Sequence, residues 1–321
     1  MTAVNEELFS IVIPNYRRVI ELGRAIDSIR NQNGYNDLVK HIIIVDDKSE
    51  NISTIEELVA SYGDAKLVLV KNEFKSNAAA TRNQGARLAT TPWVCFLDSD
   101  DSFCQNKLEL LKARVISDAD VYYNSANVYF NDMIEKVVPH RALNKNEHVS
   151  DYLFVDGEYM QTSMLTIKRS FFDGHGFNEK YIRHQDYDLC LTFQELNLRI
   201  EFVDHVGTNI FWNSKERPNS KGESFQYSYM WLQENRERIT KKAFESFYFE
   251  FIVLKSARNG CKYFSLLKFF SMKKRNIDLK KVVKYIAVLV IPTPLQFWAY
   301  VKYKMMKVRN AQRRSNSNLK K

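Results

Sequence analysis

Cysteine is scarce in this chain: four residues in 321 (Cys95, Cys104, Cys190 and Cys261), with no CxxC pair among them. That spacing supports neither a zinc site nor a disulfide framework, and it fits a reducing compartment. Two phosphate-binding signatures are also missing. Neither GxGxxG nor GxxxxGK[ST] occurs, which removes a Rossmann dinucleotide site and a P-loop from consideration. The stretch Met1-Thr2-Ala3-Val4-Asn5-Glu6-Glu7 is polar and runs straight into a strand pattern, so no signal peptide is expected. A spanning helix needs about 20 uninterrupted apolar residues. The best run, Val282 to Ile291, carries Lys284 and stops at Pro292-Thr293-Pro294.

What is present suits a large folded protein, at 45% hydrophobic and 26% charged. The net charge of +9 conceals a split. Lys215–Lys321 holds 25 Lys and Arg against 7 Asp and Glu, whereas residues 1–214 hold 22 against 31. A globular front and a basic back have different jobs, and the back meets something anionic.

In the front, apolar runs of strand type alternate with helical spacing. Phe9–Pro14, His41–Val45, Lys66–Val70 and Trp93–Leu97 read as strands, and Val19–Ile29, Ile52–Tyr62 and Asn77–Ala86 as helices. This alternation predicts an α/β fold with a mostly parallel sheet flanked by helices. Two of the strands end in carboxylates, Asp46-Asp47 and Asp98-Ser99-Asp100-Asp101. Parallel strands bring both clusters to one sheet edge, where open α/β sheets bind ligands. Three carboxylates within four residues repel one another and call for a cation. Mg²⁺ or Mn²⁺ prefers such oxygens and shares them with phosphates. Arg82, in the first turns of the Ala-rich helix, is placed to meet a phosphate. Plainer readings stand beside these: Asp47, Asp98 or Ser99 as helix caps, and Arg82 as a solvated helix residue.

Four motifs, in order, carry a resemblance. They are Ser10-Ile11-Val12-Ile13-Pro14-Asn15-Tyr16, Ile44-Val45-Asp46-Asp47-Lys48-Ser49, Ala79-Ala80-Thr81-Arg82-Asn83-Gln84-Gly85 and Phe96-Leu97-Asp98-Ser99-Asp100-Asp101. Together they resemble the family-2 inverting glycosyltransferases. The resemblance implies a Rossmann-like GT-A fold and a UDP-sugar donor. It implies that Pro14, Tyr16 and Asp47 line the base pocket and that Arg82 contacts uracil or phosphate. It makes Asp98 and Asp100 the DxD motif for ribose and metal, with Asp101 an adjacent metal ligand. Many relatives read Pro-x-Tyr/Phe-Asn, so Pro14-Asn15-Tyr16 departs from the pattern at Asn15 but keeps Tyr16.

Further on, Asn106–Ile116 reads as a helix, Val121–Phe130 as a strand, 131–150 as a loop or short hairpin, and Thr162–Ile167 as a strand. Asp186 then opens an amphipathic helix through Leu189, Leu191, Phe193 and Leu196, where a helix cap is its plain role. The family's Glu-Asp motif falls here and implies that Asp186 is the general base, with Gln185 replacing the glutamate. Thr192 stands where many relatives have arginine on this helix. An inverting transfer needs a base beside the attacking hydroxyl and a charge sink at the departing diphosphate. Residues 211–222 are expected to form either a mobile loop whose Lys215, Arg217 and Lys221 neutralise that diphosphate on closure or a solvated basic loop. Gln233-Glu234-Asn235-Arg236-Glu237 lacks the tryptophan of processive relatives, so one sugar is transferred.

The expected division is a transferase domain over 1–215 (1–104 for the nucleotide sugar, 105–215 for acceptor and catalysis) and a helical, basic region over 216–321. Aromatics among lysines in the latter fit helices lying on an anionic membrane surface, the plain alternative being an ordinary helical bundle with a disordered tail, and nothing marks a nucleic-acid site. The expectation is a cytoplasmic enzyme, peripheral on the inner membrane, acting on a glycan or glycolipid acceptor of a bacterial surface polysaccharide. The rivals are a nucleotidyltransferase, which would want a glycine-rich loop after the first strand, and an inactive adaptor on the same scaffold.

Overall fold

The computed structural model describes residues 7–115, 118–130, 133–212, 224–272 and 279–291. Lys215, Arg217 and Lys221 therefore lie outside the described residues. The chain forms two compact units, Met1–Glu223 with Glu237–Thr240, and Ser224–Arg236 with Lys241–Lys321.

The first unit opens with β1 (Phe9–Asn15), α1 (Ile20–Arg30), a single turn α2 (Tyr35–Leu38), β2 (Val39–Asp46), α3 (Ile52–Ser61), β3 (Leu67–Lys71), α4 (Ala78–Leu88) and β4 (Trp93–Phe96). β1 and β4 are buried throughout, as expected for strands covered on both faces. β1 pairs in parallel with β2 and β4, and β2 with β3. Asn15 lies opposite Asp46, so the carboxyl ends of β1 and β2 are level.

α4 is rich in small residues because it packs close to the sheet. A Cβ on Gly85 would stand 2.5 Å from Val12 Cγ1 and 3.2 Å from Val45 Cγ2. Asn77 caps this helix, its Oδ1 accepting from the Ala79 and Ala80 amides.

Beyond β4 follow β5 (Ser102–Phe103), α5 (Lys107–Lys112), β6 (Val121–Phe130), β7 (Met133–Val138), β8 (Leu165–Lys168), α6 (Gln185–Glu195) and β9 (Ile200–Phe211). The sheet runs β3-β2-β1-β4-β8-β6-β9-β5, with β7 beside β6. β8 is antiparallel to both β4 and β6, so it joins the parallel half to a mixed half.

Three expectations change. The strand expected from Thr162 begins at Leu165, after a 3₁₀ turn at Thr162–Met164. The helix expected over 106–116 is confined to Lys107–Lys112. Twelve-residue β9 replaces what the sequence left unassigned, and it includes Phe211, the first residue of the expected loop.

The second unit is helical: α7 (Phe225–Glu234), α8 (Lys241–Phe247), a wider π-type stretch at Tyr248–Leu254, α9 (Lys255–Arg258), α10 (Lys262–Ser271) and α11 (Leu279–Val290). Among the described residues no helix is long and apolar enough to cross a membrane.

Candidate active site

The carboxyl ends of β1, β2 and β4 and the start of α4 border a cleft of about 680 Å³, lined by Pro14, Tyr16, Arg18, Asp47, Arg82 and Asp98 among others. Asp46 does not face it. Its carboxylate accepts from Asn15 Nδ2 at 3.1 Å and from the Ser49 amide and hydroxyl at 2.7 Å each, which ties the turn after β2. Asn15 is thereby structural.

Asp47 is no helix cap, because α3 begins after Asn51. It pairs with Lys75 and accepts from the Ser76 amide at 2.7 Å and hydroxyl at 2.6 Å. Burial disfavours its charge, but Lys75 and Ser76 outweigh that and hold its pKa below the usual carboxylate value. Lys75 Nζ also lies 3.4 Å from the centroid of the Tyr16 ring. Tyr16, Lys75 and Asp47 thus form one wall of the cleft.

Arg82 is buried rather than solvated. Its Nη2 donates to Asp98 Oδ1 at 2.6 Å and its Nη1 to Gln185 Oε1 at 2.8 Å. One guanidinium therefore links the β4 carboxylates to the first turn of α6. Gln185 Nε2 donates in turn to the Tyr181 carbonyl.

Asp98 and Ser99 cap no helix, since the next element is the short β5. Oxygen atoms of Asp98, Asp100 and Asp101 lie within 4.8 Å of one another. Arg18 Nη1 sits 2.6 Å from Asp100 Oδ1. Asp101 is buried; it accepts from the Ser163 hydroxyl at 2.6 Å and the Phe211 amide at 3.2 Å. The Ser163 hydroxyl oxygen also accepts from the Asp98 amide at 3.0 Å. Burial, then the charges of Asp100 and Asp98, push the Asp101 pKa well up. Three converging oxygen donors, one of them strained by its neighbours' charge, fit a hard divalent cation. Beneath them Lys107 Nζ donates to the Ser163 carbonyl at 3.0 Å, and burial pulls its pKa down to about 8.

Asp186 is half-buried in the first turn of α6, and the cap position belongs to His184, with φ +62°. Burial raises the Asp186 pKa, Asp98 adds to the rise, and Arg82 partly offsets it. A carboxylate so tuned is a better proton acceptor than a free one.

α4 also delivers this helix. Asn83 Nδ2 donates to the Phe177 carbonyl at 2.8 Å, and its Oδ1 accepts from the Phe177 amide at 2.8 Å, clamping the loop that leads to α6. Gly176, with φ +159°, admits that clamp: a Cβ there would meet Asn83 Oδ1 at 2.5 Å.

Several side chains that hold these residues were not singled out from sequence: Arg18, Lys75, Ser76, Asn83, Ser163 and Arg238. Only Asn83, inside a motif, carried a local signal. Arg238 returns from beyond Glu223 to hold α6, with Nη1 2.5 Å from Asp188 Oδ1, Nε 2.7 Å from Glu195 Oε1 and Nη2 2.9 Å from Thr192 Oγ1. Trp212 packs near Tyr159, with ring centroids 6.3 Å apart.

A GT-A sheet with a cleft of paired carboxylates and cations at the carboxyl ends of its parallel strands is the architecture of a glycosyltransferase. The chain belongs to glycosyl transferase family 2, whose model matches residues 10–177 and so ends before Asp186. The amylovoran biosynthesis glycosyltransferase AmsB of Erwinia amylovora is 34% identical over 73% of this chain and 79% of its own length. The UDP-Glc:alpha-D-GlcNAc-diphosphoundecaprenol beta-1,3-glucosyltransferase WfgD of Escherichia coli is 26% identical over 45% of this chain and 56% of its own. The solved structure of S. aureus TarS 1-349 in complex with UDP-GlcNAc superposes with a TM-score of 0.53, at 18% identity, over 88% of this chain and 79% of that one.

Proposed function

We propose that this glycosyltransferase moves a single sugar from a UDP-sugar to a lipid-linked glycan acceptor, with inversion at the anomeric carbon. The observation that carries this reading is the linkage of Asp186 to the acidic edge: Arg82 bonds Asp98 on one side and Gln185, the neighbour of Asp186, on the other. The nucleotide end and the base are thereby held in one frame.

Pro14 and Tyr16 take the nucleobase face, and Asp47 anchors Lys75 against the same wall. Asp98 meets the ribose, and Arg82 and Arg18 face the diphosphate. Asp98, Asp100 and Asp101 would hold Mg²⁺ or Mn²⁺, whose charge at the departing diphosphate complements that of the arginines. Asp186 takes the proton of the acceptor hydroxyl as that oxygen attacks opposite the diphosphate. Its raised pKa favours the transfer, and its Oδ1 accepts from the Tyr187 amide at 3.2 Å. Lys215 and Arg217 join the diphosphate site in this scheme. The relative WfgD, a glucosyltransferase with a UDP-Glc donor and a diphosphoundecaprenol-linked acceptor, supports the choice of substrates.

The test is UDP release from a panel of UDP-sugars with Mn²⁺ and an undecaprenyl-diphosphate glycan. One donor should turn over, and both EDTA and Asp186→Asn should abolish turnover while UDP still binds. Full activity in Asp186→Asn would remove Asp186 as the base, and UDP that neither binds nor is released would overturn the donor assignment.

A further inference from the structure

The second unit is held by a small core of Phe249, Val253, Leu254, Ala257, Tyr285 and Val288. α10 and α11 both pack on it through Phe269 and Leu289. Lys262 Nζ donates to the Leu289 carbonyl at 2.6 Å, the Ser265 and Tyr285 hydroxyls are 2.9 Å apart, and the Phe269 and Tyr285 rings are 4.7 Å apart. Each helix therefore spends one face on this seam.

The opposite faces are also apolar. On α11, Leu279, Val283, Ile286 and Val290 recur at i, i+4, i+7 and i+11 and are 74, 59, 52 and 73% exposed. On α10, Tyr263, Leu267 and Phe270 recur at i, i+4 and i+7 and are 78, 54 and 70% exposed. Such spacing makes a continuous stripe along a helix. Two exposed apolar stripes on adjacent helices mark an interaction surface.

Charge selects the occupant. From Lys255 to Ile291 the sequence holds ten Lys and Arg against one Asp. Five of the lysines (Lys262, Lys268, Lys280, Lys281 and Lys284) sit on the two striped helices, where Lys262 bonds the Leu289 carbonyl, Lys281 the Ser246 hydroxyl and Lys284 pairs with Glu250, so Lys268 and Lys280 carry most of the charge offered outward. A second copy of the same surface would be repelled by this charge. A nucleic acid would use the lysines and leave the aliphatic stripes in water. A bilayer with anionic headgroups takes both, apolar side chains at the acyl boundary and ammonium groups among phosphates. At 10 and 12 residues, the helices are about 15 and 18 Å long, short of the ~30 Å core.

We infer that α10 and α11 lie in the plane of an anionic membrane surface, with Leu267, Phe270, Val283 and Ile286 immersed. This deepens the proposed use of a lipid-linked acceptor, yet it stands on the second unit alone and is read without any sugar donor.

The experiment is co-sedimentation of the full chain with phosphatidylcholine vesicles and with vesicles also containing phosphatidylglycerol, at low and high salt. The comparison is Leu267→Ser/Phe270→Ser/Val283→Ser/Ile286→Ser, whose substitutions fall at solvent-facing helix positions. The parent chain should bind the anionic vesicles, with binding weakened by salt, and the variant should bind them roughly tenfold or more weakly. Equal binding by variant and parent would overturn the assignment of the stripes, as would a parent chain that ignores anionic vesicles. A dimer dispersed by the four serines, with no vesicle binding, would assign the stripes to a second copy and equally overturn it. UDP release, measured in parallel without vesicles, should be unchanged in the variant, which separates failure of this inference from failure of the transferase reading.

Discussion

Arg238→Ala tests whether the helix carrying Asp186 is held by a residue far along the chain. Asp188 keeps its carboxylate in a place where its side chain is only 3% exposed, and Arg238 is its ion-pair partner. The same guanidinium bonds Glu195 and Thr192. Removing one partner of a buried pair costs about 3–5 kcal/mol, because the remaining charge is left without compensation. Arg238 is 22% exposed, so water reaches the vacated site and the low end, about 3 kcal/mol, applies. Hydrogen exchange of the α6 peptide 185–195 should then accelerate roughly a hundredfold at neutral pH, after correction for intrinsic rates. The pH dependence carries a sign. Burial already raises the Asp188 pKa, and Arg238 pulls it back. In Arg238→Ala that pull is gone, so the folded state binds a proton that the unfolded chain releases above its ordinary carboxylate pKa. Stability contributed this way is present at low pH and lost as pH rises through the folded pKa. The variant's deficit should therefore shrink on going from neutral to mildly acidic buffer. Arg238→Lys should fall between the two, keeping the charge but losing the planar fork. An acceleration below about threefold, or a deficit that grows on acidification, would refute the reasoning.

Gly85→Ala puts a Cβ against Val12 and Val45 and should cost about 1–3 kcal/mol by overpacking, although alanine in a free helix would stabilise; an unchanged melting temperature would show that α4 can move off the sheet. Asp100→Asn should weaken Mn²⁺ binding by roughly tenfold or more in calorimetry with UDP present, and undiminished binding would exclude Asp100 as a ligand. Gln185→Glu adds an anion next to Asp186 and loses the amide that donates to the Tyr181 carbonyl. The acidic limb of its kcat–pH profile should move to higher pH, because a further negative charge disfavours the Asp186 carboxylate; a limb that moves down would mean that Arg82 absorbs the new charge.

How much of this could be read beforehand depended on whether the signal was local. β1, β2 and β4 are runs of apolar residues buried on both faces, and such runs announce themselves. β9 does not, because part of its packing is polar: Asn124 Nδ2 and Lys107 Nζ both donate to Thr208 Oγ1, and Asn127 Nδ2 donates to Asn209 Oδ1. A strand whose partners are asparagines and a buried lysine has no alternation to detect. The same division runs through the cleft. Asp47, Arg82, Asp98 and Asp186 were visible as residue types at strand ends and helix starts, but their partners were not. Lys75 reaches Asp47 across a loop, Arg18 reaches Asp100 from the other side of the cleft, and Ser163 joins Asp98 to Asp101 from 62 residues beyond Asp101. Thr192 is the sharpest instance. The arginine that many relatives carry on this helix is missing from α6, and the structure buries Asp188 one turn before that position. An arginine at 192 would lie one turn from Asp188, and Arg238 instead brings a guanidinium to Asp188 and Thr192 from 46 residues further on. A buried carboxylate needs a cation near it in space, and the chain position that supplies it is free to move.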